Sequence, residues 1–140
     1  MESKKSVLIT GISGFLGSHI TKLFLEDGWF NVKGTVRDKK NEIKMAPLKE
    51  AFGEYYNKLE LIEADLLNTE SMRKAIENSD IVIHTASPLP PKAPKHEWEI
   101  IEPAVNGTWA VLEACRDFKV QRLVITSSGL AVLNPITLGT

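Results

Sequence analysis

Short apolar runs alternate with longer segments of helical periodicity along the chain. Runs of a few β-branched and aliphatic residues, bounded by turn-forming residues, are typical of strands. Such runs predict strands over Val7–Thr10, Asn31–Val36, Leu59–Glu63, Ile81–Thr85 and Leu123–Ser127. Between them, apolar positions recur every three to four residues and predict helices over Phe15–Asp27, Asn41–Ala51, from Asn68 or Thr69 to Glu77, and between His96 and Phe118.

Two prolines fall inside the predicted helices. Pro47 is expected to interrupt the second helix and Pro103 to bend or break the start of the last, because proline lacks an N–H and clashes with the preceding turn. Trp98 and Trp109 are expected to be buried along the last helix. The inner faces of the third and last helices are predicted at Met72, Ala75 and Ile76, and at Ile101, Ala104, Thr108, Val111, Leu112 and Cys115.

The first, fourth and fifth strands are continuous apolar runs, and His84 within the fourth is expected to pack in the core. Continuous runs are typical of strands that are buried on both faces of a parallel sheet. Alternating strands and helices with right-handed crossovers predict an α/β fold with a doubly wound parallel sheet. We expect the strand order 3-2-1-4-5, with a ligand bound where strands one and four diverge. The proline-rich segment Pro88–Lys95 is predicted to be a loop.

A glycine-rich turn, Gly11-Ile12-Ser13-Gly14-Phe15-Leu16-Gly17, joins the first strand to the first helix. Glycines at this spacing allow a tight turn, a close approach of a pyrophosphate to the backbone, and close packing of helix on strand. Free amides and the positive end of the helix dipole then face the anion. The turn therefore predicts a Rossmann-type dinucleotide site that includes Gly11, Ser13, Gly14, Phe15, Leu16 and Gly17.

The end of the second strand bears on the choice between NADP and NAD. Arg37 follows this strand, with Lys44 close behind, and an arginine here suits the 2′-phosphate of NADP. Asp38 is the counter-argument, since a carboxylate at this place binds the ribose hydroxyl of NAD. We favour NADP over NAD. The predicted site also includes Asp65, as acceptor for the adenine amino group, its neighbour Leu66, and the small residues Thr85, Ala86 and Ser87 that end the fourth strand.

Composition excludes several other classes of function. The chain has 140 residues, a net charge of −1 and one cysteine. This balance gives no reason to expect a nucleic acid or an anionic membrane as partner. No apolar run approaches the roughly 18 residues of a membrane span, and the single cysteine suits a reducing, cytoplasmic location. Three scattered histidines and one cysteine predict no metal site.

Five segments together resemble the extended short-chain dehydrogenases/reductases of the epimerase/dehydratase superfamily, in the branch of the dihydroflavonol and cinnamoyl-CoA reductases. They are Thr10–His19, Thr35–Asp38, Ala64–Leu66, His84–Pro88 and Pro103–Thr108. The resemblance implies an NADP-dependent oxidoreductase that acts on a small carbonyl or alcohol substrate. It also implies a catalytic serine, tyrosine and lysine, and the serine corresponds to Ser128, with Ser127 as the alternative.

The chain departs from this resemblance beyond the serine. The family's Tyr-x-x-x-Lys pair should follow on the next helix, yet no tyrosine occurs after Tyr56, and Tyr55-Tyr56-Asn57-Lys58 has the wrong place and spacing. We therefore expect residues 1–140 to be an incomplete NAD(P)-binding domain without a substrate domain. Such a chain should bind cofactor weakly, show no turnover and leave its fifth strand as an uncovered sheet edge. The alternatives are a non-catalytic NADP-binding or protein-interaction module, and an epimerase or dehydratase on the same scaffold.

Overall fold

The computed structural model describes residues 3–88 and 94–132, so residues 89–93 of the predicted loop lie outside the described part. Its centre is a five-stranded parallel sheet in the order β3-β2-β1-β4-β5. The predicted doubly wound sheet and its strand order are confirmed. The strands are β1 Ser6–Thr10, β2 Asn31–Val36, β3 Leu59–Glu63, β4 Ile81–His84 and β5 Arg122–Ile125. The helices are α1 Phe15–Asp27, α2 Glu42–Phe52, α3 Thr69–Ile76, α4 Trp98–Asp117 and α5 Gly129–Val132, with a 3-10 helix at Gly53–Lys58.

Helices cover both faces of the sheet, and β1 shows why its sequence is apolar at successive positions. Val7 and Ile9 belong to the core beneath α1 and α2, while Leu8 belongs to the core beneath α3 and α4. All three side chains are fully buried. Met72, Ala75 and Ile76 form the inner face of α3, as predicted. Side chains from both faces of the sheet therefore pack around β1, which pairs with β4 up to Thr10 and His84.

The two prolines do not interrupt their helices, so the interruption expected at Pro47 and the break expected at Pro103 were wrong predictions. α2 continues through Pro47, and α4 continues through Pro103 for a total of 20 residues. Each proline removes one N–H from the helical hydrogen bonds, and the packing of each helix against the sheet outweighs that loss. The side chain of Asn41 also caps α2 by accepting a hydrogen bond from the amide of Lys44.

The predicted inner face of α4 is wrong in part. Gly107, Ala110, Val111, Ala114 and Cys115 are the buried positions of this helix. Small residues face the sheet because α4 packs closely against it and against α3. The larger side chains point outward: Trp98, Ile101, Val105, Trp109 and Leu112 are between 37% and 60% exposed. Burial of Trp98 and Trp109 was therefore a wrong prediction, and Ile101 and Leu112 lie outside the core.

β5 differs from the other apolar strands. Its Val124 and Ile125 are 47% and 38% exposed, so it is not buried on both faces as its sequence predicted. β5 pairs with β4 on one side and forms one of the two edges of the described sheet. The prediction of an uncovered apolar edge is confirmed for the described residues. Within those residues, the helices are too short or too polar to cross a membrane.

Candidate functional site

The glycine turn after β1 is built by close backbone contacts. Gly11 has a φ of +70°, which a side chain would strain, and a Cβ there would lie 3.0 Å from Cα of Ala86. A Cβ on Gly17 would lie only 2.5 Å from the carbonyl oxygen of Gly11. The turn, the first turn of α1 and the end of β4 therefore approach each other too closely for any residue but glycine at these two positions.

The end of β2 anchors the same turn. Thr35 accepts two hydrogen bonds, from the amide of Gly11 on Oγ1 at 3.0 Å and from the amide of Ile12 on its carbonyl at 3.2 Å. Ile12 is fully buried, and it packs over Gly34, where a Cβ would lie 2.7 Å from Ile12 Cδ1. The conformation of the turn is thus determined by β2 as well as by its own glycines.

The amino terminus of α1 differs from those of its neighbours. α2 and α3 begin with asparagine side chains, Asn41 and Asn68, that accept hydrogen bonds from first-turn amides. The N-cap of α1 is Gly14, which has no side chain to accept such a bond, and the first turn of α1 holds no acidic residue. Because a helix cannot satisfy its own first amides, the positive end of this dipole is available to an anion.

A groove of about 570 Å³ lies along the carboxyl ends of β1, β2 and β4. Its size suits a bound small molecule or cofactor. The structure brings ten of the sequence-predicted residues together around it: Gly11, Ser13, Gly14, Arg37, Lys44, Asp65, Leu66, Thr85, Ala86 and Ser87. Other lining residues, which the sequence did not predict as part of the site, include Thr35, Val36, Met72, Glu99 and Pro103.

Five predicted residues are placed elsewhere. Gly17 is buried in the contact beneath the turn, whereas Phe15 and Leu16 are 83% and 45% exposed on the first turn of α1. Ser127 and Ser128 follow β5 and are exposed, and neither belongs to the lining of the groove. The residue before them, Thr126, donates its amide to the carbonyl of His84 at 3.0 Å. Both serines therefore follow the carboxyl end of β5, at the end of the sheet where the groove also lies.

A smaller hollow of about 110 Å³ adjoins the glycine turn, lined by Ser13, Val36, Arg37, Asp38, Asn41, Lys44 and Met45. Arg37 and Lys44 line both the hollow and the groove. Asp38 turns one carboxylate oxygen to the amide of Lys40 at 2.8 Å. This hydrogen bond orients the carboxylate within its own turn, and the side chains of Arg37 and Lys44 lie where the hollow meets the groove.

The loop after β3 forms the opposite part of the groove. Asp65 accepts a hydrogen bond from the amide of Leu67 at 3.0 Å, which fixes the bend of this loop. Leu66 packs against α4 at Gly107, where a Cβ would lie 2.5 Å from Leu66 Cγ. Gly107 thus lets α4 come close enough for Leu66 to be held beside the groove.

Sequence reasoning missed the buried threonines that organise the site. Thr10 Oγ1 lies 2.8 Å from Nδ1 of His84 and accepts hydrogen bonds from the amides of Thr85 and Ala86, each at 3.1 Å. Thr35 holds the glycine turn as described above. A threonine at the buried end of an otherwise aliphatic strand is the signal that could have identified both. His84 is buried, as predicted.

Burial lowers the pKa of His84 below its ordinary value, because desolvation disfavours the imidazolium. The unfolded chain therefore binds a proton here more readily than the folded chain. We expect this residue's contribution to the free energy of unfolding to be lost as the pH falls below about 6.5. Denaturant unfolding at about pH 8 and about pH 5.5 measures it. The wild type should lose more stability than His84→Asn on acidification. Equal losses would show that the lowered pKa of His84 does not contribute to the pH dependence of stability.

Comparison with known proteins identifies the class. Residues 7–132 match the model of the NAD dependent epimerase/dehydratase family, and the chain belongs to this family. Among characterised relatives, tetraketide alpha-pyrone reductase 1 of Arabidopsis thaliana is 42% identical over 132 residues, which are 94% of this chain and 40% of the relative. Cinnamoyl-CoA reductase 1 of the same plant is 41% identical over 132 residues, 94% of this chain and 36% of that protein. The predicted family and reductase branch are confirmed.

A solved structure shows the same fold. A yeast methylglyoxal/isovaleraldehyde reductase complexed with NADPH superimposes with a TM-score of 0.75 at 31% identity, over 92% of this chain and 39% of the yeast chain. The relatives are reductases, and the chain spans about two fifths of the length of each.

Proposed function

We propose that residues 1–140 form a dinucleotide-binding domain of a reductase. This domain would hold NADP(H) in the groove along β1, β2 and β4. The main support for the proposal is that three features meet at the carboxyl ends of the strands. These are the glycine turn, the amino terminus of α1 without a side-chain cap, and the basic hollow after β2. The reductase relatives support an oxidoreductase of the carbonyl or CH–OH class over an epimerase or dehydratase.

The diphosphate would be held by the glycine turn. The amides of Phe15 and Leu16 are in the first turn of α1, where helical geometry gives them no intrahelical partner. The absence of side chains at Gly11 and Gly14, which line the groove, lets an anion approach the backbone. The residues present therefore fit a dinucleotide diphosphate.

The adenosine end would lie between β2 and the loop after β3. Arg37 and Lys44 would bind the 2′-phosphate, Arg37 through two parallel charge-assisted hydrogen bonds. Arg37 and Lys44 line both the groove and the hollow, and this pair of cations supports NADP over NAD. Asp65 would accept a hydrogen bond from the adenine amino group, with Leu66 beside the ring.

The reactive end would lie along Thr85, Ala86 and Ser87, toward the end of β5. NADPH supplies a hydride to a carbonyl carbon of a small-molecule substrate when bound, and the developing negative charge on the oxygen needs a hydrogen-bond donor. Ser128 would orient that oxygen, with Ser127 as the alternative. The polypeptide of 140 residues contains no tyrosine beyond Tyr56 to deliver the proton. We propose that this polypeptide binds the cofactor without turnover. We also propose a cytoplasmic location, which the single cysteine supports.

Calorimetric titration of the 140-residue chain with NADPH and NADH tests this proposal. We expect measurable NADPH binding, weaker NADH binding, and no NADPH consumption with aldehydes or ketones at 340 nm. Turnover would show that another proton donor exists and would overturn the proposal of binding alone. Absence of any binding of either cofactor would overturn the proposed function as a whole.

A further inference from the structure

The buried pair Thr10 and His84 joins the ends of β1 and β4, the strands that diverge at the groove. Both side chains are buried, at 0% and 3% exposed, and Thr10 Oγ1 lies 2.8 Å from His84 Nδ1. The same oxygen accepts hydrogen bonds from the amides of Thr85 and Ala86, each at 3.1 Å. Three groups at the end of β4 therefore share the one hydroxyl that Thr10 supplies from β1.

The hydrogen-bond count determines which way each bond runs. A hydroxyl has two acceptor sites and one proton to donate. The two backbone amides of Thr85 and Ala86 can only donate, so they occupy both acceptor sites of Thr10 Oγ1. The hydroxyl proton then has to go to His84 Nδ1, which must be unprotonated. This direction of the hydrogen bond requires a neutral His84 with its proton on Nε2.

This arrangement bears directly on the groove. The segment Thr85–Ala86 lines it, and Ala86 approaches Gly11 so closely that a Cβ on Gly11 would lie 3.0 Å from Ala86 Cα. Thr85 adds a second connection, because its Oγ1 donates to the carbonyl of Thr10 at 2.6 Å. Thr10 therefore connects the Thr85–Ala86 wall of the groove to the end of β1, next to the glycine turn.

We propose that His84 is a positioning residue for cofactor binding. By accepting the Thr10 hydroxyl proton, His84 Nδ1 aims the lone pairs of Thr10 at the amides of Thr85 and Ala86 and holds the β4 wall against the glycine turn. This role rests on the proposed function, since it concerns the same NADP(H) groove. Neither Thr10 nor His84 lines that groove, so both act through the residues that they hold.

Matched variants at each position test the proposal. His84→Asn can place an amide oxygen near the position of Nδ1 and keeps an acceptor, whereas His84→Leu has similar bulk and none. Thr10→Ser keeps the hydroxyl, whereas Thr10→Val keeps the shape and leaves two buried amides without their partner. We expect the Leu and Val variants to bind NADPH about tenfold more weakly than wild type, and the Asn and Ser variants to bind within about threefold. Binding is measured by calorimetry well below each variant's melting temperature, so that only folded protein is compared.

A spectroscopic measurement tests the direction of the Thr10–His84 hydrogen bond independently of cofactor binding. Long-range 1H–15N correlation of the His84 ring in the wild-type protein at neutral pH should show an unprotonated Nδ1 and a protonated Nε2. A protonated Nδ1 would overturn the proposal, as would NADPH affinity in His84→Leu equal to that of His84→Asn. If wild type binds NADPH and the variants do not differ, only the positioning role fails. If wild type binds no cofactor, the proposed function fails and the positioning role with it.

Discussion

Replacing Gly17 with alanine should destabilise the domain and weaken NADPH binding together. The added Cβ would lie 2.5 Å from the carbonyl oxygen of Gly11 and 2.9 Å from Thr85 Oγ1. Because the first of these is a backbone atom that cannot rotate away, α1 or the turn must shift. Overpacking of this kind costs roughly 1–3 kcal/mol, and thermal unfolding of Gly17→Ala measures it.

Gly14→Ala is the matched control for this substitution. Its Cβ would meet only the carbonyl oxygen of Gly11, at 3.3 Å, and Gly14 has a negative φ of −86° that alanine adopts readily. We expect its stability to stay within about 1 kcal/mol of wild type. Equal melting temperatures for wild type and Gly17→Ala would show that α1 does not depend on the close contact beneath the turn.

Replacing Arg37 with glutamate should weaken NADPH binding far more than NADH binding. Arg37 lines both the groove and the adjoining basic hollow. The substitution removes charge-assisted hydrogen bonds worth roughly 1.5–3 kcal/mol and adds a repelling carboxylate. We therefore expect about a 100-fold loss of NADPH affinity, while NADH, which has no 2′-phosphate, should change by no more than about threefold. Isothermal titration with both cofactors measures the two ratios.

Lys40→Glu makes the same charge change three residues away. Lys40 is exposed and belongs to the lining of neither the groove nor the hollow. Its effect on NADPH affinity measures how much a change of overall charge alone weakens binding. This effect should be small at physiological salt, where exposed charges are screened. Equal losses of NADPH and NADH affinity in Arg37→Glu would defeat the assignment of Arg37 to the 2′-phosphate.

The sheet was predictable because its signals are local and mutually consistent. Buried parallel strands need continuous apolar runs, and Val7, Leu8 and Ile9 show why: successive side chains enter opposite cores. The glycine spacing then identified the turn, since only backbone without side chains fits the contacts of Gly11 and Gly17. Ten predicted residues consequently meet around one groove.

The wrong predictions concern burial, because the pattern of apolar residues in one strand or helix does not show which other element packs against it. Val124 resembles a residue of a buried strand, yet the strand that holds it is an edge. Trp98 and Trp109 are apolar, but α4 packs through small residues and turns its tryptophans outward. Thr10 went unnoticed because its importance comes from amides and an imidazole 74 to 76 residues away in the sequence.

The proposed function requires the glycine turn to bind the diphosphate of NADP(H) through backbone amides. Titration of the 15N-labelled 140-residue chain with NADPH, followed by 1H–15N correlation spectra, shows whether these amides are the ones that respond. The amide signals of Ser13, Phe15 and Leu16 should show the largest shifts, and those of Gly28 and Lys119, at the opposite end of the sheet, should stay in place. Saturable binding that leaves the turn amides unmoved and shifts signals elsewhere would contradict the account.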